Sequence, residues 1–292
     1  MSEPAAQPPM ESAALAGRIT KRFEALARAG ELGLIAYVTA GDPSLAATEK
    51  IALAAAEAGA DIIELGVPFS DPVADGPTIQ RASERALRNG ATLAGVLGVI
   101  RQIRAQSEVP IVIFSYFNPI LQMGLKEFAV QAHLAGADGV LVTDLTPEEA
   151  GEYRAAMRSH GLDTIFLAAP TSTDSRLETI ARSSSGFLYV VSRTGVTGAR
   201  EALPEGLPEL VRRARKFTKL PIAVGFGISL PTHVTVLGGI ADAAVVGSAL
   251  VSEIEKASSV EAAVAAVAQK IQALKQAACR GVSRRGPASD VR

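Results

Sequence analysis

The sequence predicts an α/β chain folded as a (β/α)8 barrel with an extra N-terminal helix, and three observations carry that expectation. Eight short runs rich in Val, Ile, Leu and Ala recur along the chain. Stretches with helical periodicity separate most of them. Each run is nearly continuous in apolar residues instead of alternating with polar ones, as strands of a parallel sheet covered by helices are.

The strand candidates are Leu34–Thr39, Asp61–Gly66, Ile111–Tyr116, Gly139–Val142, Thr164–Ala168, Phe187–Val191, Ile222–Gly225 and Ala243–Gly247. Helices are expected between them, among them Ser44–Ala58, Pro77–Asn89, Leu125–Ala135, Pro147–His160 and Leu250–Ala277. Several open with an Asp, Ser or Thr cap or with Pro in the first turn. A weak repeat supports the alternation, because Ala58-Gly59-Ala60-Asp61 and Ala135-Gly136-Ala137-Asp138 both close a helix and open an apolar strand. Eight βα units between Leu34 and Gly247 suit a closed barrel, a fold of roughly 250 residues. An open dinucleotide-binding sheet is the other arrangement, but no Gly-x-Gly-x-x-Gly follows the first strand. Ser12–Ala29 reads as one extra amphipathic helix covering the barrel floor. The domain organisation expected is a disordered extension over residues 1–11, one catalytic barrel over 12–278 and a flexible basic tail over 279–292.

Composition narrows the function. Among 292 residues, 29 Lys and Arg stand against 30 Asp and Glu, so no single-sign field draws nucleic acid or an anionic membrane. No apolar run approaches the roughly 20 residues that cross a bilayer, and the polar start carries no secretory pattern, so the cytoplasm is the expected compartment. One cysteine, Cys279, and three scattered histidines, His133, His160 and His233, assemble neither a disulfide framework nor a metal site.

In such a barrel, function belongs to the loops after the strands. Glu64 lies inside an apolar strand, where an unpaired carboxylate is costly and its pKa is pushed toward the range useful for proton transfer. Its structural reading is an ion pair, but no strand candidate carries a cation near its C-terminal end. Asp71 and Asp75 share the loop before Pro77, where either could cap the following helix. Asp71 is assigned that role; for Asp75, beside Gly76, a cap and a hydrogen-bond acceptor for substrate both stay open. Gly225-Phe226-Gly227-Ile228-Ser229 and Gly247-Ser248-Ala249 follow consecutive late strands, where glycines let backbone N–H groups approach a phosphate and a helix start adds its dipole. Ser192–Arg200, with two glycines after Tyr189, has the length of a lid.

The stretch Glu64–Gln80, together with Tyr189–Gly198, Gly225–Ser229 and Gly247–Ala249, closely resembles the tryptophan synthase α chain family, and the similarity spans roughly Gly17 to Lys275. The resemblance implies a TIM barrel that cleaves indole-3-glycerol phosphate, by a retro-aldol step, to indole and glyceraldehyde 3-phosphate. It implies Glu64 as the acid/base and Asp75 as the carboxylate that accepts the indole N–H, with Thr197 of the lid contacting that aspartate on closure. Gly198, Gly227, Gly247 and Ser248 match phosphate contacts, Tyr189 and Phe226 would line the pocket, and Tyr37, Phe114 and Leu141 would supply apolar walls. No metal or organic cofactor is implied in this chain; pyridoxal phosphate belongs to a β partner, expected in an α2β2 heterotetramer that receives the indole. Loop two and Asn118-Pro119 are the implied docking surface. The sequence departs from the family at Tyr37, where many relatives carry Phe, at Thr146-Pro147, and at Gly238–Asp242, which could shift the phosphate loop. A stand-alone indole-releasing lyase, a catalytically silent activating subunit and an unrelated phosphate-binding isomerase are the competing readings; the presence of both Glu64 and Asp75 speaks against the second.

Overall fold

The apolar runs pair side by side in parallel, forming one sheet. A computed structural model describes residues 17–192, 203–225 and 227–281, with the side chains of the last two outside the description. The strands are β1 (Gly33–Thr39), β2 (Ile62–Gly66), β3 (Ile111–Ser115), β4 (Gly139–Val142), β5 (Asp163–Ile165), β6 (Leu167–Ala168), β7 (Leu188–Val191), β8 (Ile222–Gly225) and β9 (Ala243–Val246). Their order is β5-β4-β3-β2-β1-β9-β8-β7-β6. The sheet's two end strands, β5 and β6, are separated by Phe166 alone, and the Phe166 carbonyl accepts from the Tyr189 N–H, so the sheet meets itself and closes as a barrel. The expected fifth strand is thus two pieces, one paired to β4 and the other to β7.

The described helices are α1 (Arg18–Ala29), α2 (Leu45–Glu57), α3 (Pro77–Arg88), α4 (Leu93–Arg104), α5 (Phe117–Met123), α6 (Leu125–Ala135), α7 (Gly151–Ser159), α8 (Asp174–Ser183), α9 (Leu207–Arg215), α10 (Pro231–Leu237), α11 (Ser248–Lys256) and α12 (Val260–Gly281). Ser44, Thr92 and Thr173 each accept a backbone N–H of the first turn that follows, at α2, α4 and α8. Three expected helices differ. The extra helix, expected from Ser12, starts at Arg18, with Gly17 as its extended N-cap. Leu250–Ala277 is two helices, because Ala257 is extended and the Ser259 hydroxyl accepts the Ala262 N–H, capping a new start. Pro147–His160 begins only at Gly151, since residues 147–149 form a turn closed by the Thr146 hydroxyl on Glu149. At the other end, α12 carries the helix to Gly281, past the expected tail boundary at 279.

Both faces of the sheet are buried, which explains the lack of strict polar alternation, but the pleat still sorts the side chains. Leu34, Ala36, Val38, Ile63, Leu65, Ile113, Val140 and Val190 pack outward against the helices. Ile35, Tyr37, Ile62, Val112, Phe114, Leu141, Tyr189, Ala223 and Val245 fill the barrel. Ile19, Phe23 and Leu26 of α1 belong to the same inner cluster, with Phe23 against Phe187, so the extra helix plugs the floor as expected.

Three aspartates staple that floor. Asp61 Oδ2 accepts the Leu34 N–H at 2.6 Å, Asp138 Oδ2 the Ile111 N–H at 2.8 Å, and Asp242 Oδ2 the Ile222 N–H at 2.7 Å. Each also donates its own N–H to the carbonyl of the same residue. The strand entrance at 238–242, unusual in sequence, therefore does the same work as the two Ala-Gly-Ala-Asp entrances. Cations complete each staple: Arg22 and Lys275 on Asp61, Arg104 and Arg18 on Asp138, Arg215 on Asp242. Asp61 is buried while its partners stay partly wet, so removing the carboxylate leaves a buried strand N–H and an ammonium without their acceptor. Asp61→Ala is expected to lower unfolding free energy by about 3 kcal/mol in denaturant titrations, whereas Glu108→Ala, on an exposed ion pair of the same floor, is expected to change it by less than about 1 kcal/mol.

Candidate active site

Glu64 follows from strand parity: two residues after Ile62 on β2, it faces the barrel interior, beside Tyr37 of β1 and Val112 of β3 in the ladder. It is fully buried, and neither carboxyl oxygen has a hydrogen-bond partner among the described residues. Burial pushes its pKa up to about 8. Among the described residues, no cation forms the ion pair that a structural role requires.

Gly66 is the next inward position, and its lack of a side chain has a specific use. A Cβ there would stand 2.2 Å from the Tyr37 hydroxyl. Across the barrel the same device recurs, since a Cβ on Gly225 would stand 2.1 Å from the Tyr189 hydroxyl. Two strand-end glycines thus admit two tyrosine rings that wall the cleft on opposite sides of Glu64. Tyr37 packs edge-on against Phe114, with ring centroids 5.2 Å apart.

Asp75 comes from the loop after β2. It is 6 % exposed, and Tyr116, at the end of β3, donates its hydroxyl to Asp75 Oδ2 at 3.1 Å. Burial raises the Asp75 pKa to about 6, against the lowering effect of that hydrogen bond. The cap reading is excluded for both aspartates: α3 starts at Gly76 with no side-chain cap, and Asp71 is exposed and accepts from the Ser70 hydroxyl.

A cleft open to solvent joins these groups, lined by Tyr37, Glu64, Asp75, Phe114 and Tyr189 together with Gly227, Gly247 and Ser248. Gly227 has a φ of +88°, a left-handed conformation suited to glycine, and Gly247-Ser248 begins α11, whose first N–H groups lack intrahelical acceptors. An anion there would meet backbone donors and the positive end of a helix. Of the expected wall residues, Leu141 is fully buried in the barrel beneath and does not line the cleft. Thr197, Gly198 and the expected lid lie outside the described residues, as does Phe226.

Gly76, Ile79, Val245 and Tyr116 were not singled out from sequence, although the first three line the cleft and the last holds Asp75. Strand parity held the signal for two of them: Val245 is two residues before Gly247, and Tyr116 two after Phe114. Ile79 lies one helical turn beyond Asp75.

Glu64 has a consequence for stability. Because its folded pKa lies above the unfolded value, the folded state is favoured fully only below about pH 4.5, and stability is lost as pH rises from there to about 8. At pH 7 the loss amounts to at most about 3 kcal/mol. Glu64→Gln is therefore expected to raise the unfolding midpoint by several degrees at pH 7 and to match the parent at pH 4; equal midpoints at both pH values would mean that the carboxyl is paired or hydrated.

Comparison with known proteins gives the chain a family. The family described as tryptophan synthase alpha chain matches residues 23–279. The tryptophan synthase alpha chain of Solibacter usitatus (strain Ellin6076) is 56 % identical over 239 residues, which cover 82 % of this chain and 90 % of that protein. That of Citrifermentans bemidjiense is 50 % identical over 264 residues, 90 % of this chain and 98 % of the relative. Among solved structures, Mycobacterium tuberculosis tryptophan synthase superposes with a TM-score of 0.84 at 36 % identity, and the alpha subunit from Legionella pneumophila str. Paris with 0.82 at 38 %, each alignment covering 90 % of this chain and 98 % of the other. The chain belongs to the tryptophan synthase alpha chain family, lyases that cleave indole-3-glycerol phosphate to indole and glyceraldehyde 3-phosphate.

Proposed function

We propose that Glu64 and Asp75 carry this cleavage, Glu64 as the acid and base at the reacting carbons and Asp75 as the partner of the indole N–H. The observation behind the assignment is that one cleft holds two carboxyls with pKa values pushed to different heights, about 8 and about 6. Near pH 7 the first keeps its proton and the second is mostly ionised, a division of labour set by environment.

Glu64 gives its proton to indole C3, and the positive charge that forms on the ring spreads to the N–H, where ionised Asp75 stabilises it. The Glu64 carboxylate then takes the proton of the hydroxyl on the adjoining side-chain carbon. The C–C electron pair returns to the ring, the aldehyde C=O forms, and Glu64 ends protonated as it began. The step is neutral in protons and electrons, so in this reading the chain needs no cofactor of its own.

The N–H groups of Gly227, Gly247 and Ser248 hold the phosphate and thereby set the distance from C3 to Glu64. Tyr37, Phe114 and Tyr189 flank the indole. Gly198, Thr197 and Phe226 take the phosphate, lid and pocket roles that the family resemblance gives them. Residues 12–278 form the catalytic unit, with the extension 1–11 and the basic tail 279–292 outside it.

Members of this family work with a β chain. We assign the docking face to loop two and the Asn118-Pro119 turn of α5, beside the mouth from which indole leaves, and an α2β2 assembly with pyridoxal phosphate in the β chain. Val73 of loop two, 83 % exposed, and Leu121 of α5, 49 % exposed, offer apolar surface there. No helix among the described residues is long and apolar enough to cross a membrane, and the cytoplasm is the proposed compartment.

Glu64→Gln is expected to lower indole release from indole-3-glycerol phosphate at least 1000-fold, on the order of what loss of the acid/base and its charge removes, while binding of glycerol 3-phosphate stays within about twofold of the parent. Cleavage at the parental rate by this variant would exclude Glu64 as the acid. The parent's kcat/KM is expected to follow a bell in pH, with an acid limb near 6 from Asp75 and an alkaline limb near 8 from Glu64. A profile flat from pH 5 to 9 would refute the pairing of roles.

A further inference from the structure

Asp75 sits on a loop with little internal framework. Between residues 70 and 76 the backbone makes two short-range hydrogen bonds of its own, Val73 to Asp71 and Asp75 to Pro72, and Gln80 of α3 reaches the carbonyls of Pro72 and Asp75. A carboxylate that must meet a ring N–H at hydrogen-bond distance needs a firmer hold than that.

That hold comes from Tyr116. Its ring is 3 % exposed and packs on Phe69 of the same loop, with centroids 5.0 Å apart. Its hydroxyl accepts the Ala74 N–H at 2.9 Å and donates to Asp75 Oδ2 at 3.1 Å. Among the described residues this is the one hydrogen-bonded link from residues 70–76 to the barrel wall. A phenol has a single proton. With the Ala74 N–H pointing at the oxygen, that proton goes to Asp75 and commits Oδ2, leaving Oδ1 without a hydrogen bond from the described residues on a side chain that lines the cleft.

We infer that Tyr116 is a positioning residue of this enzyme, which fastens loop two to the end of β3 and aims Asp75 so that its second oxygen meets the indole N–H. The inference rests on the reading of Asp75 given above. Electrostatics agrees with the geometry. Burial and the Asp75 charge hold the Tyr116 phenol well above its usual pKa, so it stays a donor throughout the working range. Its hydrogen bond opposes the rise that burial imposes on Asp75. Glu64 on β2, Tyr37 on β1 and Tyr189 on β7 are the other titratable groups facing the cleft; both tyrosines feel the Asp75 charge, and Tyr116 makes the hydrogen bond to its carboxylate.

The test uses the full chain and follows indole release from pH 5 to 9 for Tyr116→Phe, Asp75→Asn and the double variant, with glycerol 3-phosphate binding measured alongside. Tyr116→Phe keeps the ring on Phe69 and removes only the hydroxyl. Its acid limb is expected to move up by about one pH unit and kcat/KM at pH 7 to fall about tenfold, the worth of one charge-assisted hydrogen bond. Glycerol 3-phosphate binding should not change. In the Asp75→Asn background the same substitution should add less than a twofold loss, because the residue acts through that carboxylate. An unshifted acid limb, or an equal loss in both backgrounds, overturns the inference and leaves Tyr116 a packing residue. Parental activity in Asp75→Asn alone instead overturns the reading of Asp75.

Discussion

An acid without a partner, sealed inside a closed sheet, is the constraint around which this molecule is arranged. A carboxylate in that position is unfavourable by several kcal/mol unless it takes up a proton, and Glu64 does so, with its pKa pushed to about 8. For the proton to remain there, the barrel must keep water and cations away. The plug of Ile19, Phe23 and Leu26 closes one end, and the rings of Tyr37, Phe114 and Tyr189 crowd the other. Gly66 and Gly225 are the concession that lets two of those rings fit.

The contrast with the floor makes the point sharper. Asp61 is as deeply buried as Glu64, yet it sits against Arg22, Lys275 and a strand N–H, and its business is holding two strands in register. Identical chemistry is spent on stability at the N-terminal ends of the strands and on reactivity at the C-terminal ends, the division usual in this architecture. What separates them is the neighbouring charge: cations within reach make Asp61 a staple, while apolar surroundings raise the pKa of Glu64.

Asp75 occupies the middle ground. Loop two brings it to the edge of the cleft, where burial lifts it to about 6 and the Tyr116 hydroxyl pulls the other way. In the proposed mechanism a group so placed is ionised near pH 7 and still dry enough for its charge to count. The two carboxyls differ because one is on a buried strand and the other on a loop, where the Tyr116 hydroxyl reaches it.

Much of this was legible in the linear sequence. Eight apolar runs separated by helical stretches specify a parallel barrel, because buried strands show their burial as uninterrupted apolar residues. Glu64 stood out for the complementary reason, being charged within such a run, and residues of the late glycine loops line the same cleft. Local competition between hydrogen-bond partners hid other features: Ser259 splits the last helix, and Phe166 divides the fifth strand at the closure point. The sequence by itself determined the order of elements, the inward parity of Glu64 and the residue types at the mouth, since these follow from periodicity and from the cost of burying charge. Only the tertiary structure decided that no cation of the described residues reaches Glu64, that Asp75 is no helix cap, that Leu141 lies beneath the cleft and that Tyr116 hydrogen-bonds loop two. Those facts depend on which residues, far apart in the chain, closure of the barrel brings within a few ångströms of one another.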